Sequence, residues 1–282
     1  MGVCPRVPFY RQGVQLSSTP GFWKDELAVK GFTLLYSDCK NAISAEESTK
    51  IIADLDDSLP GYDVKEYFGS QPNIFRDYDH LTIARDSATG GTVGLLGSKW
   101  FSSSDVTYLY LWTAMVAERV RKSSLLSSLF LWELDKAVKE RTAPPMIATK
   151  TYNPIVYKAM NALHRLIPGS RFYPTIEDSS QNPEMVALAK QVVGLLCPKL
   201  EVRYDTAVVV GGQGVLAPNF FPELPSSRDP AVDKFFERNL TRDDQILMIV
   251  EIPRSSHEAL SVLLRNAEMS KFAGPVVPVH GS

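Results

Sequence analysis

The stretch VTYLYLWTAMVAERVRKSSLLSSLF, residues 106–130, joins a long apolar run directly to a serine-rich segment. The run from Val106 to Val116 predicts a strand that is apolar on both faces. Strict alternation places Trp112 and Ala114 on one face of this strand and Met115 on the other. A strand of this kind belongs inside a sheet that is covered on both sides.

The segment after this strand predicts an amphipathic helix that runs to about Glu140. The junction between strand and helix holds two cations and two serines: Arg121, Lys122, Ser123 and Ser124. A helix start leaves backbone N–H groups without partners and carries partial positive charge, so it can bind an anion such as a pyrophosphate. The alternative is a serine-capped helix start with two solvated cations, and the spacing alone does not decide between them.

Composition narrows the classes of protein and partner. The chain has 282 residues, 44% of them hydrophobic and 22% charged, as in ordinary soluble globular proteins. A formal net charge of -2 gives no reason to expect nucleic acid as a partner. No window approaches the ~18 apolar residues of a membrane helix, and the histidines lack metal-ligand spacing, so we expect neither a membrane span nor a metal.

Cysteine usage and the N-terminus indicate the compartment. The three cysteines, Cys4, Cys39 and Cys197, are far apart, which argues against a disulfide framework or a thiolate zinc site. The first residues lack the apolar core of a signal peptide. Together these features predict a cytoplasmic protein.

The first half of the chain alternates between irregular and regular segments. Residues 1–30 are rich in Pro, Gly and Ser and predict an irregular leader. A strand at 32–37 precedes a helix that Ser44 caps, with Glu47 in the capping-box position. The runs HLTIARDS and TVGLLGSKWF, joined by ATGG, predict a hairpin.

The second half predicts a strand at 144–152, a helix beginning near Pro154, a helix at 182–198, and strands at 202–210 and 245–252. A loop-rich insert with one helix, 211–244, separates the last two strands. Residues 254–282 predict a final helix and a tail. This order predicts an α/β fold, of the α+β type, with a mixed and mostly antiparallel sheet flanked by helices.

The run from Val116 to Leu129 resembles the acyl-CoA signature of the GCN5-related N-acetyltransferase (GNAT) superfamily. In that signature, a strand ending in Val is followed by Arg or Gln, then Gly, then Gly or Ala, and a leucine-rich helix. Val116 matches the strand end, Arg121 the Arg or Gln, and Leu125 and Leu129 the apolar positions. The order of elements over residues 31–253 is similar too, so the resemblance implies a GNAT-like acyltransferase domain there, including the insert 211–244.

The resemblance implies a binding site for CoA. Its pyrophosphate would be held by the junction and the helix start: Arg121, Lys122, Ser123, Ser124, Leu125, Leu126 and Ser127. Its pantetheine arm would pair, like an extra strand, with Met115, Val116 and Ala117. Asn153 matches the Asn that often bonds the CoA arm at the end of the fifth strand.

The resemblance also offers a catalytic residue. Tyr157 is the candidate for the tyrosine that protonates the leaving thiolate, although it follows Asn153 by four residues rather than the usual spacing of about seven. The alternative is a helix tyrosine packed on the core. No Asp or Glu occurs from Val106 to Val116, so the base that takes the proton of the amine is not evident.

Two positions depart from the signature. Ser124 stands where the first Gly is expected, and Leu126 stands where Gly or Ala is expected. A branched side chain at Leu126 must point away from the phosphates or block them. The pose of CoA, or the acyl donor itself, therefore differs from the usual one if Leu126 faces the site.

The resemblance implies that an acyl group, most simply acetyl, passes from CoA to a small-molecule or peptide amine by direct attack. One alternative is an N-acyl amino acid or acyl-homoserine-lactone type of synthase, which takes acyl-CoA or acyl carrier protein. Another is a GNAT-like module that binds acyl-CoA or a partner without turnover. A homodimer is left open.

Overall fold

The computed structural model describes residues 22–39, 43–121, 123–177, 180–213 and 225–271. Five antiparallel strands in chain order form the first half of the sheet: β1 (Asp25–Val29), β2 (Phe32–Ser37), β3 (His80–Asp86), β4 (Thr92–Ser102) and β5 (Thr107–Val116). β3 and β4 are the hairpin predicted from the sequence. β1 corrects the prediction of an irregular leader, because its residues belong to that segment. All five residues of β1 pair with β2.

Three helices connect β2 to β3: α1 (Ala45–Ser58), α2 (Val64–Gly69) and α3 (Ile74–Asp77). Ser44 caps α1 as predicted, since its Oγ accepts a hydrogen bond from the Glu47 N–H at 3.1 Å. The Glu47 carboxylate does not complete the capping box; it pairs instead with Arg85 of β3. This ion pair fastens the first turn of α1 to the sheet.

The element that follows β5 is α4 (Leu125–Glu140), preceded by one turn of 3-10 helix, and α4 leads into β6 (Met146–Thr151). β6 pairs with β5 in parallel, whereas the other strand pairs of the described chain are antiparallel. A parallel pair requires a crossover, and α4 is that crossover.

The C-terminal half continues with α5 (Pro154–Leu166), β7 (Arg171–Tyr173), α6 (Pro183–Leu196), β8 (Val202–Arg203), β9 (Val208–Val209), α7 (Pro230–Asn239), β10 (Gln245–Glu251) and α8 (His257–Lys271). The sheet order is β1-β2-β3-β4-β5-β6-β10-β9-β8, and β7 also pairs with β10. The predicted mixed, mostly antiparallel sheet flanked by helices is therefore confirmed.

Two predicted strands differ from the structure. The run 202–210 forms two short strands, because Ala207 adopts a φ of 59° and reverses the chain between them. In β5, the register shifts so that Gly97 faces Thr113 while Ser98 faces Leu111. Trp112 is therefore the extra residue of a bulge, and strict alternation fails beyond it.

Helices cover both faces of the sheet. Leu34 and Leu35 are adjacent in β2, yet Leu34 packs with Leu125 and Leu129 of α4, while Leu35 packs with Ile51 and other residues of α1–α3. Adjacent residues of a strand point to opposite faces, so α4 lies on one face and α1–α3 on the other. A further cluster joins β5, the end of α4, β6 and β10 to helices α5–α8.

No helix within the described ranges is both long and apolar enough to cross a membrane. Those same ranges contain no group of three or more His, Cys, Asp or Glu side chains arranged to hold a metal ion.

Candidate functional site

Strands β5 and β6 separate part of the way along their length. They pair only where Leu109–Leu111 lies beside Ile147–Thr149. At the last rung, the Thr149 hydroxyl donates a hydrogen bond to the Leu111 carbonyl oxygen at 3.0 Å. Beyond it, β5 continues to Val116 while β6 turns to pair with β10 alone. We call the opening between residues 112–116 and 150–152 the notch.

The free edge of β5 borders the notch. The Ala117 N–H donates to the Val93 carbonyl oxygen at 2.9 Å, and the Ala117 carbonyl accepts from the Val120 N–H at 3.1 Å. Both backbone groups of Ala117 are thus engaged, and its N–H points towards β4. Backbone groups alternate in direction along a strand, so Val116 directs its N–H and C=O into the notch. Of the three residues predicted to pair with pantetheine, Val116 is the one whose backbone groups point into the notch rather than towards β4.

The start of α4 lies directly beyond this edge. The Ser123 hydroxyl donates to the Val120 carbonyl at 2.6 Å and accepts from the Leu125 N–H at 3.2 Å. Ser124 occupies the N-cap position without a side-chain cap. Within the described part of the chain, the N–H groups of Leu126 and Ser127 have no hydrogen-bond partner. These two amides and the positive end of the helix dipole lie where the sequence predicts an anion site, and anion binding there stays a prediction.

The two leucines at the helix start have different roles. Leu125 is buried and anchors α4 on β4, where Gly94 leaves the necessary room. A Cβ at Gly94 would lie 2.9 Å from Leu129 Cδ1 and 3.3 Å from Leu125 Cδ2. Leu126 is half-buried and stays outside this cluster. Gly94, which the sequence analysis did not single out, therefore sets how closely the helix start approaches the sheet.

Arg121 is exposed and lies beside Glu118 and Tyr62. Its Nη1 lies 3.3 Å from Glu118 Oε1, and its guanidinium carbon lies 5.1 Å from the ring centre of Tyr62. Surface contacts of this kind are weak, so a phosphate can compete for the guanidinium. Lys122, the second predicted cation, lies outside the described residues.

Tyr152 and Asn153 end the other side of the notch. Burial raises the pKa of Tyr152; Tyr62 adds to the shift and the charge on Arg121 opposes it. The three side chains are therefore close, although they come from distant parts of the sequence. Asn153 caps α5, since its Oδ1 accepts a hydrogen bond from the Ile155 N–H at 2.9 Å.

Tyr157 lies in the core. Its hydroxyl donates to the Pro174 carbonyl oxygen at 2.9 Å, and its ring packs edge-on against Phe172 and Phe236. The residue is fully buried, and that burial raises its pKa. The geometry supports the core-packing alternative rather than the role of proton donor to a thiolate.

A pocket of about 350 Å³ adjoins Tyr152. Its lining includes Tyr152, Asp233, Phe236, Glu237, Leu240 and Arg242. The insert 211–244 thus contributes a wall beside the notch through its helix α7. The role of this insert is not evident from the sequence; the acidic residues four apart, Asp233 and Glu237, are the available signal.

No protein-family model matches the chain, and no curated protein matches it. Its fold is similar to the NatB acetyltransferase complex bound to a bisubstrate inhibitor, with 13% identity and a TM-score of 0.37 over 76% of this chain and 90% of that chain. A GNAT-family acetyltransferase from Listeria monocytogenes is 14% identical, with a TM-score of 0.35 over 54% of this chain and 94% of that one. The GNAT-family N-acetyltransferase YhbS from Escherichia coli, in complex with CoA, is 17% identical, with a TM-score of 0.34 over 52% and 79%.

These three solved structures are acetyltransferases. In the sheet of the present chain, β5 and β6 form the parallel pair and β10 lies beside β6. A helix follows β5 after a short junction, as the sequence predicts; the binding of CoA there stays a prediction.

Proposed function

We propose that the notch binds acetyl-CoA or another acyl-CoA and that the protein transfers the acyl group to an amine. The observation that carries this proposal is the separation of β5 from β6 after Leu111 and Thr149, directly before the uncapped start of α4. An extended thioester chain with amide groups fits an unpaired strand edge, because it can continue the ladder of hydrogen bonds.

The two ends of such a ligand suit the two ends of the notch. The pantetheine amides would pair with the free backbone groups of Val116. The pyrophosphate would meet the N–H groups of Leu126 and Ser127 at the helix start, where the dipole favours negative charge. Arg121 would add a charge-assisted contact. Asn153 can offer its side-chain amide N–H groups, because its Oδ1 is the atom used to cap α5.

Acyl transfer then requires a neutral amine at the thioester carbonyl. The nitrogen attacks the carbonyl carbon, the carbon–sulfur bond breaks, and the proton lost by nitrogen ends on the sulfur. Strand β5 carries no carboxylate to accept this proton, so we propose water in the notch as the carrier. Tyr157 is given no part in this step, because its hydroxyl is committed to Pro174.

Calorimetric titration with acetyl-CoA tests the proposal. We expect wild type to bind and Arg121→Ala to bind about tenfold more weakly, as for loss of one charge-assisted contact. Arg165→Ala is the matched control, because Arg165 is also exposed but lies in the last turn of α5, at the end away from Asn153. This variant should bind acetyl-CoA like wild type. Failure of wild type to bind acetyl-CoA and longer acyl-CoAs would refute the proposal.

A module that binds acyl-CoA without turnover is the second candidate. The observation that favours it is the absence of an evident acid or base: Tyr157 is buried, and β5 has no Asp or Glu. Release of free thiol from acetyl-CoA, measured with a panel of amines, separates the two candidates. Binding without thiol release for every amine would favour the module.

A further inference from the structure

We infer that the pocket beside Tyr152 is the acceptor site and that it selects a small amine carrying a second positive charge, such as a short diamine. This inference rests on the proposed acyl transfer and names the class of its acceptor. Three features support this inference: the position of the pocket, its charge, and the apolar character of its walls.

The pocket opens where an acceptor is needed. Thr151 of β6 pairs with Ile246 of β10, so the next residue, Tyr152, lies at the point where β6 leaves the sheet. Tyr152 lines the pocket, and it also packs on the cluster that contains Met115 of β5. Tyr152 therefore borders both the pocket and the notch, and we infer that the reacting amine lies beside it.

Two carboxylates give the pocket its charge. Burial opposes ionisation of Asp233, but hydrogen bonds from Ser226 and Ser227 outweigh it and lower the pKa, so Asp233 stays charged at neutral pH. Glu237 lies one helical turn further along α7, is exposed, and makes no hydrogen bond or ion pair with the described residues. Like charges at this spacing repel each other. A cation in the pocket would relieve that repulsion, because the described residues that line it include one cation, Arg242, against two carboxylates.

Charge also separates the two substrates. Arg121 and the start of α4 make one side of the notch attractive to the phosphates of CoA, whereas Asp233 and Glu237 make the pocket repel them. The acidic pocket attracts an ammonium group for the same reason.

The pocket walls between the carboxylates and Tyr152 are largely apolar, with Phe236 and Leu240 among them. Such walls suit a short methylene chain. The distal ammonium would remain protonated at Glu237, while the amine beside Tyr152 loses its proton and attacks the thioester. The products are the monoacylated diamine and CoA with its thiol restored, so no other reactant is required.

A matched set of amines tests this selectivity. Acetyl transfer from acetyl-CoA is measured with 1,4-diaminobutane, 1-aminobutane and 4-aminobutanoate, which share chain length but differ in their distal group. We expect kcat/KM for the diamine to exceed that for 1-aminobutane by about tenfold, as for one charge-assisted contact. 4-Aminobutanoate should be the poorest of the three. A preference for 4-aminobutanoate, or equal rates with all three, would overturn the inference.

Variants tie the selectivity to the pocket. Glu237→Gln should lower kcat/KM for the diamine about tenfold, so that the preference for the diamine over 1-aminobutane is lost. Glu201→Gln, at an exposed position outside the pocket, should change neither. Titration with 1,4-diaminobutane alone tests binding without turnover, and its absence in wild type would also overturn the inference. Acetyl-CoA binding with no diamine preference refutes only this inference, whereas no acetyl-CoA binding refutes the proposed function as well.

Discussion

Removing the hydroxyl of Tyr157 tests whether this residue has a structural or a catalytic role. The hydrogen bond of this hydroxyl to the Pro174 carbonyl lies inside the cluster that joins β6 and β10 to helices α5–α8. Tyr157→Phe should therefore lower the free energy of unfolding by about 1 kcal/mol, the net value of one such bond. It should leave kcat for acetyl transfer within about twofold of wild type, whereas loss of a general acid costs about 100-fold or more.

Tyr108→Phe is the matched control for this prediction. Tyr108 is also fully buried, and its hydroxyl donates to the Val192 carbonyl oxygen at 3.3 Å. Both variants should show a similar loss of stability in urea denaturation and a similar, small change in kcat. A fall in kcat confined to Tyr157→Phe would restore the catalytic role that the resemblance implied.

Glu133 of α4 carries a buried carboxyl group. Burial raises its pKa from 4.5 to about 8, and the hydroxyls of Ser98 and Thr82 oppose this shift. Neither carboxylate oxygen makes a hydrogen bond of good geometry to a described residue. In the unfolded chain the carboxyl loses its proton near pH 4.5, while in the folded protein it keeps it until about pH 8. The free energy of unfolding should therefore fall as pH rises across this range, by roughly 4 kcal/mol.

Glu133→Gln removes this ionisation and keeps the shape of the side chain. The variant should be more stable than wild type at pH 8 and should lose the difference near pH 4. Urea denaturation at a series of pH values measures it, with Glu201→Gln, an exposed position, expected to follow wild type. Parallel pH profiles for wild type and Glu133→Gln would contradict the assigned shift.

At the scale of elements, the contact between β4 and the loop before β3 depends on Gly97. A Cβ at this position would lie 2.5 Å from the ring of Tyr78. The ring cannot simply move away, because the Tyr78 hydroxyl donates to Thr113 Oγ1 of β5 at 2.6 Å. Gly97→Ala should therefore destabilise the protein by about 2 kcal/mol, as overpacking does in a close-packed core.

Gly69→Ala is the control for this prediction. Gly69 ends α2, and an added Cβ there meets nothing within 4 Å. Its free energy of unfolding should stay within about 1 kcal/mol of wild type. Equal unfolding midpoints for the two variants in a denaturant titration would contradict the prediction, because the Tyr78 ring would then move aside without loss of stability.

The elements were predictable where the sequence is strongly periodic. β5, α4 and the β3–β4 hairpin follow from runs of apolar residues with clear period and punctuation. The bulge at Trp112 was not predictable, because its position depends on the partner strand β4 rather than on β5 itself. β1 was missed because its ordering comes from pairing with β2 and not from an apolar period of its own.

At the scale of the whole molecule, the notch combines residues that are distant in sequence. Arg121 and Val116 were identified from one stretch, because a helix start after a strand is a local pattern. Tyr62 and Tyr152 carry no local signal, and only the fold brings them beside Arg121. The pocket on α7 depends in the same way on the packing of α7 against α5. The cytoplasmic location and the homodimer stay predictions.

Hydrogen–deuterium exchange with and without acetyl-CoA tests the central claim most directly, because it reports on the individual amides that the notch offers. The account predicts that acetyl-CoA slows exchange at Val116, Leu126 and Ser127. Exchange should stay unchanged at the start of α6, where Asn182 already caps the amides of Glu184 and Met185. Unchanged exchange at Val116 and at the start of α4, under saturating acetyl-CoA, would contradict the account.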